Sequence, residues 1–216
     1  MGTENNAVKT FFRNRPLHYF SAVLFGISGG LLVALCFKFP SGGLWAAAYF
    51  SSSVYGFWMF TAALLVLWSE KRSVACINAG LYIFFMFFVT TVCMSVRLYK
   101  TGNTPFQSFQ DMALHSIGGW LVYSIPPAIL CAALACVLWN GRKNTVSGAV
   151  LRWMPMAFIA LETVYMFWFV FAQKTRLFPA LADLLCAAGY FMLILFPMID
   201  KRRIINRNGF YNGGFL

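Results

Sequence analysis

Acidic residues are scarce in this chain. Six Asp and Glu stand against 17 Lys and Arg in 216 residues, and charged residues together make up 11%. A soluble domain usually carries about 25% charged residues, so this composition lacks the polar surface that a water-exposed fold needs. Histidine occurs only twice. No HExxH, no Walker-type glycine loop and no paired-aspartate pattern is present, which removes the common zinc-protease and nucleotide-hydrolase chemistries. Cysteine is present six times, as Cys36, Cys76, Cys93, Cys131, Cys136 and Cys186, but never as CxxC and never in a loop. All six lie in apolar blocks, where they read as small buried hydrophobes. Cys131 and Cys136, five apart, fall on different sides of a helix.

What the chain has in abundance is apolar length. Hydrophobic residues make up 60% of it, in blocks of about 20, the length that crosses a hydrocarbon core of about 30 Å. Six such spans are predicted: Leu17–Phe37, Leu44–Trp68, Val74–Val96, Met112–Trp139, Trp153–Ala172 and Ala180–Ile199. The fold class expected is an all-α, six-helix transmembrane bundle over 17–199, with basic tails at 1–16 and 200–216. Pro126 and Pro127 are expected to kink or break the fourth span. Trp68, Trp139 and Trp153 read as an inner aromatic belt, with Trp45 and Trp168 as its outer counterpart.

The basic residues divide unequally. Lys9, Arg13, Arg15, Lys71, Arg72, Arg142, Lys143, Arg152, Lys201, Arg202, Arg203 and Arg207 fall on one side of the membrane. Lys38, Arg97, Lys100, Lys174 and Arg176 fall on the other. The positive-inside rule therefore puts both termini in the cytoplasm. The net charge of +11 follows from this bias. With no soluble domain to carry a nucleic-acid site, nucleic acid is not an expected partner. The expected setting is a multi-pass protein of the cell (inner) membrane, with the lipid bilayer as its first partner.

Within the first span, Ala22, Gly26, Gly30 and Ala34 recur every fourth residue. That row drifts by about 40° per step and forms a slanted groove that admits a second backbone. Its occupant is either another span of this chain, with Gly118-Gly119 a candidate, or a separate membrane subunit. "GISG" at 26–29 fits the GxSG pattern of rhomboid-type intramembrane serine proteases. However, the histidine here stands three spans later instead of two, and packing already accounts for these glycines.

Polar residues gather in the predicted outer halves of the spans. Glu162 lies near mid-span, His115 and Asp183 lie near outer ends, and Arg97 and Asp111 lie at the boundary. Ser51, Ser52 and Ser53 stand in the second span, and Trp120 and Tyr123 one to two turns below His115. Intramembrane ionisable residues are costly and mark functional positions. Together they suggest a pocket for a small-molecule solute entering from outside, lined by Glu162, His115, Tyr123, Trp120, Ser51, Ser52, Ser53, Asp183 and Arg97. No catalytic residue, metal ligand or cofactor is assigned.

In span number, length, small-residue first span and outward polar cluster, the chain resembles in architecture the substrate-binding subunits of energy-coupling-factor vitamin importers. The resemblance implies that Ala22, Gly26, Gly30 and Ala34 dock to a partner subunit and that ATP hydrolysis belongs to partners. Two rival expectations stand beside this one. The first is an intramembrane hydrolase or transferase with His115 or Glu162 as general base. The second is an accessory or sensory subunit without a ligand of its own.

Overall fold

The computed structural model describes residues 15–36, 55–69, 71–102, 105–143 and 145–192. Among them, six helices and a short 3-10 turn form the whole architecture, and no strand occurs. The helices are α1 (Arg15–Cys36), α2 (Tyr55–Trp68), α3 (Arg72–Lys100), α4 (Phe109–Leu138), α5 (Val146–Gln173) and α6 (Leu177–Met192). The 3-10 turn, Trp139–Arg142, continues α4. α1, α3, α4 and α5 are long and apolar enough to cross a membrane, and α2 and α6 are shorter apolar helices.

Burial follows the inverted logic of a lipid-facing protein. Large apolar side chains such as Val122, Ile129, Leu161 and Leu185 are exposed, whereas Asn78, Ser124, Thr163 and Asp183 are buried. Lipid accepts apolar surface without cost but leaves a polar group unsatisfied, so the polar groups turn inward.

Cross-helix contacts set the directions. Gly26 and Gly30 of α1 face Tyr82 and Met86 of α3 in the same order along both helices, so the two run parallel. α2 runs against α3, since Thr61 meets Tyr82 and Ser69 meets Asn78. α4 also runs against α3, with Trp120 near Ser95 and Cys136 joined to Cys76. α6 lies parallel to α2 through Gly56–Asp183 and Phe60–Gly189, and antiparallel to α5, with Arg152 at Tyr190 and Ile159 beside Asp183. Odd and even helices therefore alternate in direction. α3 is central to one half of the bundle, touching α1, α2 and α4, and α2 links it to α5 and α6.

Several boundaries differ from the hydropathy reading. α5 starts at Val146, seven residues before the predicted Trp153, because Thr145 caps it by accepting a hydrogen bond from Gly148 N at 3.1 Å. Hydropathy misses a helix whose first turns are small and polar. Arg152 thus belongs to α5 and not to a loop, and its Nε donates to Gly141 O at 2.9 Å. α4 runs unbroken through Pro126 and Pro127. Two lost donors do not end the helix where the apolar surroundings offer the backbone no other partner. The predicted segments 44–54 and 193–199 lie outside the described residues, as do the two tails 1–14 and 200–216.

The cysteine reading also needs correction. Cys76 and Cys136 form a disulfide, with Cα atoms 5.5 Å apart, inside the range such a bond spans. They lie 60 residues apart in sequence, and only the antiparallel pairing of α3 with α4 brings them together. Among the described residues Cys36, Cys93, Cys131 and Cys186 are free, and Cys36 and Cys186 are buried as expected.

Candidate functional site

The polar residues singled out from sequence separate into three places. At the start of α4, Ser108 caps the helix by accepting from Asp111 N at 3.1 Å. Asp111 pairs with His115 one turn on, Oδ1 to Nδ1 3.0 Å, with both side chains exposed. Phe106 lies over the His115 ring with centroids 5.5 Å apart. This is an exposed cap at the start of α4. Tyr123, on the same helix, is 67% exposed and points away from the bundle. Trp120 is buried, but its Nε1 donates to Ser95 Oγ at 2.9 Å, which ties α4 to α3. Neither residue joins His115 in a common site. The sequence places Trp120 and Tyr123 one to two turns below His115, but the α3 contact takes only Trp120.

Arg97 and Lys100, on the last turn of α3, lie along a groove of about 610 Å³ whose other walls include Leu31, Ala34 and Leu35 of α1. That is the second place.

The third place lies where α2, α5 and α6 meet. Asp183 of α6 is 0% exposed, and neither carboxyl oxygen has a hydrogen-bond partner among the described residues. Its carboxyl rests on the backbone of α2 at Gly56. A methyl at that glycine would run into Oδ1 and lie 3.1 Å from Cγ, with Ile159 Cγ2 at 3.2 Å. Only glycine leaves room for the carboxyl there. Glu162 of α5 lies within electrostatic reach of Asp183, as does Cys186. Glu162 sits 11 residues from the end of α5 at Gln173, about 17 Å along the axis, which is mid-membrane for a spanning helix. An isolated carboxylate in such a setting costs several kcal/mol, so the site must hold a proton or another positive charge.

An apolar crevice of about 480 Å³ lies among α2, α4 and α5. Trp58, Met59, Ala63 and Val66 of α2 line one wall, Cys131 and Ala135 of α4 another, and Pro155 and Phe158 of α5 a third. Its mouth lies between α4 and α5, rimmed by the exposed Leu134, Val137, Met154 and Phe158. Neither carboxyl lines the crevice. Ala63 lines the crevice and packs against Ile159 and Cys186. Glu162 is four residues beyond Phe158, on the same face of α5.

Sequence reasoning selected Glu162 and Asp183 but missed Gly56, Ile159 and Cys186. Nothing in the sequence marks these three, because their importance depends on which helices are neighbours. Ser51, Ser52 and Ser53 lie outside the described residues.

The small-residue row of α1 is occupied from within the chain. A methyl at Gly26 would lie 2.6 Å from Tyr82 O, and one at Gly30 would lie 2.6 Å from Met86 O. Thr90 Oγ1 also approaches Gly30 O at 3.3 Å. Ala22 is buried, Ala34 is half-buried beside the Arg97 groove, and Ser28 of the "GISG" stretch is exposed. At Gly26 and Gly30 the groove thus receives α3. Gly118 and Gly119 meet nothing within 4 Å and do not face the row. No protein-family model, no curated protein and no solved structure matches the chain.

Proposed function

We propose that this chain is a six-span protein of the cell membrane with both termini in the cytoplasm. We further propose that it binds a small molecule as the binding or accessory subunit of a transport system, with Asp183 and Glu162 as its polar anchor. One observation carries the reading. Asp183 is completely buried, and neither carboxyl oxygen is hydrogen-bonded among the described residues. Helix packing alone would favour an apolar side chain there, since an unsatisfied buried polar group costs about 1–3 kcal/mol even when neutral. A second carboxyl nearby raises that cost. The pair lies closer to the α5–α6 turn than to the opposite end of α5, and under the charge bias that turn faces outward. This supports access from the outer side.

The test is native mass spectrometry of the protein released from mild detergent. The wild type is expected to carry a bound small molecule that both Asp183→Asn and Glu162→Gln release while the fold persists. A wild type that carries only bulk lipid, together with variants of unchanged composition, would sink the proposal.

A further inference from the structure

We infer that α4 is the surface on which two copies of this chain pair in the bilayer, through Tyr123 and the backbone carbonyls that Pro126 and Pro127 leave short of a donor. This goes beyond the ligand-binding reading and does not depend on it. α4 is the least enclosed of the four helices long enough to span. Of its apolar window 11% is buried, against 22% or more in the other three. Exposure to lipid is ordinary for leucine or valine, but one stretch of this face is polar. Val122 and Tyr123 are 68% and 67% exposed. In an α-helix their carbonyls accept from the N–H groups of residues 126 and 127, and both of these are proline, which has no N–H. Pro126 is exposed and Pro127 half-buried, so the two interrupted bonds lie on the open side of the helix. The Tyr123 hydroxyl joins them there. Tyr123 stands 14 residues after Phe109 and 15 before Leu138, about 20 Å from either end. That is mid-membrane, whereas lipid-facing tyrosines belong at the headgroup level.

The polar groups of this patch are complementary to themselves. It offers one donor, the Tyr123 hydroxyl, and two acceptors, the carbonyls of Val122 and Tyr123. Lipid tails supply neither donors nor acceptors, so these groups are costly for as long as they face lipid. A two-fold axis beside them turns the hydroxyl of each copy toward the carbonyls of the other, as an isologous interface requires. The approach is open as well. Gly118, one turn before Val122, and Gly119, one turn before Tyr123, meet nothing within 4 Å among the described residues, and small residues let two helices come close. An apolar face alone would not choose its occupant. The matched donor and acceptors choose a second copy, because one patch holds both halves of the bond.

The experiment reconstitutes the full chain, singly labelled with a fluorophore, in vesicles of phosphatidylcholine and phosphatidylglycerol. Copies per complex are counted by single-molecule photobleaching over a range of protein-to-lipid ratios. The wild type is expected to pass from monomer to dimer as the ratio rises. Tyr123→Phe, which removes a hydroxyl and nothing else, should raise the half-dimer mole fraction by about tenfold, the scale of two symmetry-related hydrogen bonds in a membrane. The double variant Pro126→Ala with Pro127→Ala returns both N–H groups to the helix and should also weaken pairing. Gly118→Leu should weaken it by blocking the approach. Leu161→Ala, on the exposed face of α5, should leave it unchanged. Should the double variant fail to fold, Tyr123→Phe and Gly118→Leu decide the matter. A wild type that stays monomeric at every ratio overturns the inference and leaves the face to another membrane protein. Dimers indifferent to Tyr123→Phe and Gly118→Leu overturn it too, since the interface then lies off this patch.

Discussion

Glycine at a helix contact acts by what it omits, and in this bundle its positions are not equivalent. Gly26 and Gly30 let α1 approach α3 until backbone meets backbone, and a methyl at either would lie 2.6 Å from a carbonyl oxygen of α3. Backbone atoms cannot give way as a flexible side chain can. Gly26→Leu and Gly30→Leu are therefore expected to cost about 1–3 kcal/mol or more through overpacking, read as a lowered Tm in detergent. Gly119→Ala should leave Tm within the scatter of neutral surface changes, about 0.5 kcal/mol, because no neighbour lies within 4 Å of the added methyl. Equal effects at Gly30 and Gly119 would show that the α1–α3 contact is not what the glycines serve. Gly56 makes room for a side-chain carboxyl where Gly26 and Gly30 make room for a backbone, so Gly56→Ala should displace Asp183 and report on the ligand site as well as on stability.

Between elements, hydrogen bonds do much of the locating. Thr61 of α2 and Tyr82 of α3 share one near the middle of the bundle, and Tyr82 also floors the α1 contact at Gly26. In a bilayer such bonds average about 0.6 kcal/mol, with a maximum near 1.7. A double-mutant cycle of Thr61→Val and Tyr82→Phe should return a coupling in that range by reversible unfolding, and a coupling of zero would remove the bond from the list of stabilising contacts. A denser knot sits where α2 ends. Ser69 O accepts from Arg142 and, at 3.3 Å, from Trp139 Nε1, while Asn78 Nδ2 donates to Ser69 Oγ at 3.3 Å. Arg152 Nε reaches Gly141 O, and Tyr190 Oη donates to Arg152 O at 3.0 Å. Trp139, Arg142 and Arg152, read from sequence as an aromatic belt and loop charges, here fasten the ends of α2, α4 and α5 to one another and to α6.

Across the whole molecule, two requirements meet at that same knotted end. The Cys76–Cys136 disulfide lies there, and so do Lys71, Arg72, Arg142 and Lys143, whose charge favours the cytoplasmic side. Disulfides persist in oxidising compartments, whereas cytosolic thiols are kept reduced. The state of this pair in living cells therefore reports which way the bundle faces. With the orientation proposed above, acid-quenched cells should show both thiols alkylated, and the bond should form on purification in air. A pair found oxidised in growing cells would reverse the proposed orientation. In the oxidised protein, Cys76→Ser and Cys136→Ser should each remove the same gel-mobility shift, since either one opens the same 60-residue loop.

The sequence by itself determined the all-helical class and most of the apolar helices, because a backbone in lipid has to satisfy its own hydrogen bonds and a spanning helix needs a long apolar run. It also singled out Glu162 and Asp183, since a carboxyl inside an apolar run stands out in any alignment-free reading. It did not show the start of α5, where a Thr145 cap outweighs hydropathy, or the pairing of Cys76 with Cys136 across 60 residues. Nor did it separate His115 and Tyr123, grouped with Glu162 in one outward polar cluster, from the place where Glu162 and Asp183 meet. Periodicity tells which residues share a face of one helix. Which faces meet depends on the order of helices in the bundle, and that order is set by close approaches such as Gly26 on Tyr82 and Gly56 on Asp183, which exist only once the helices have packed.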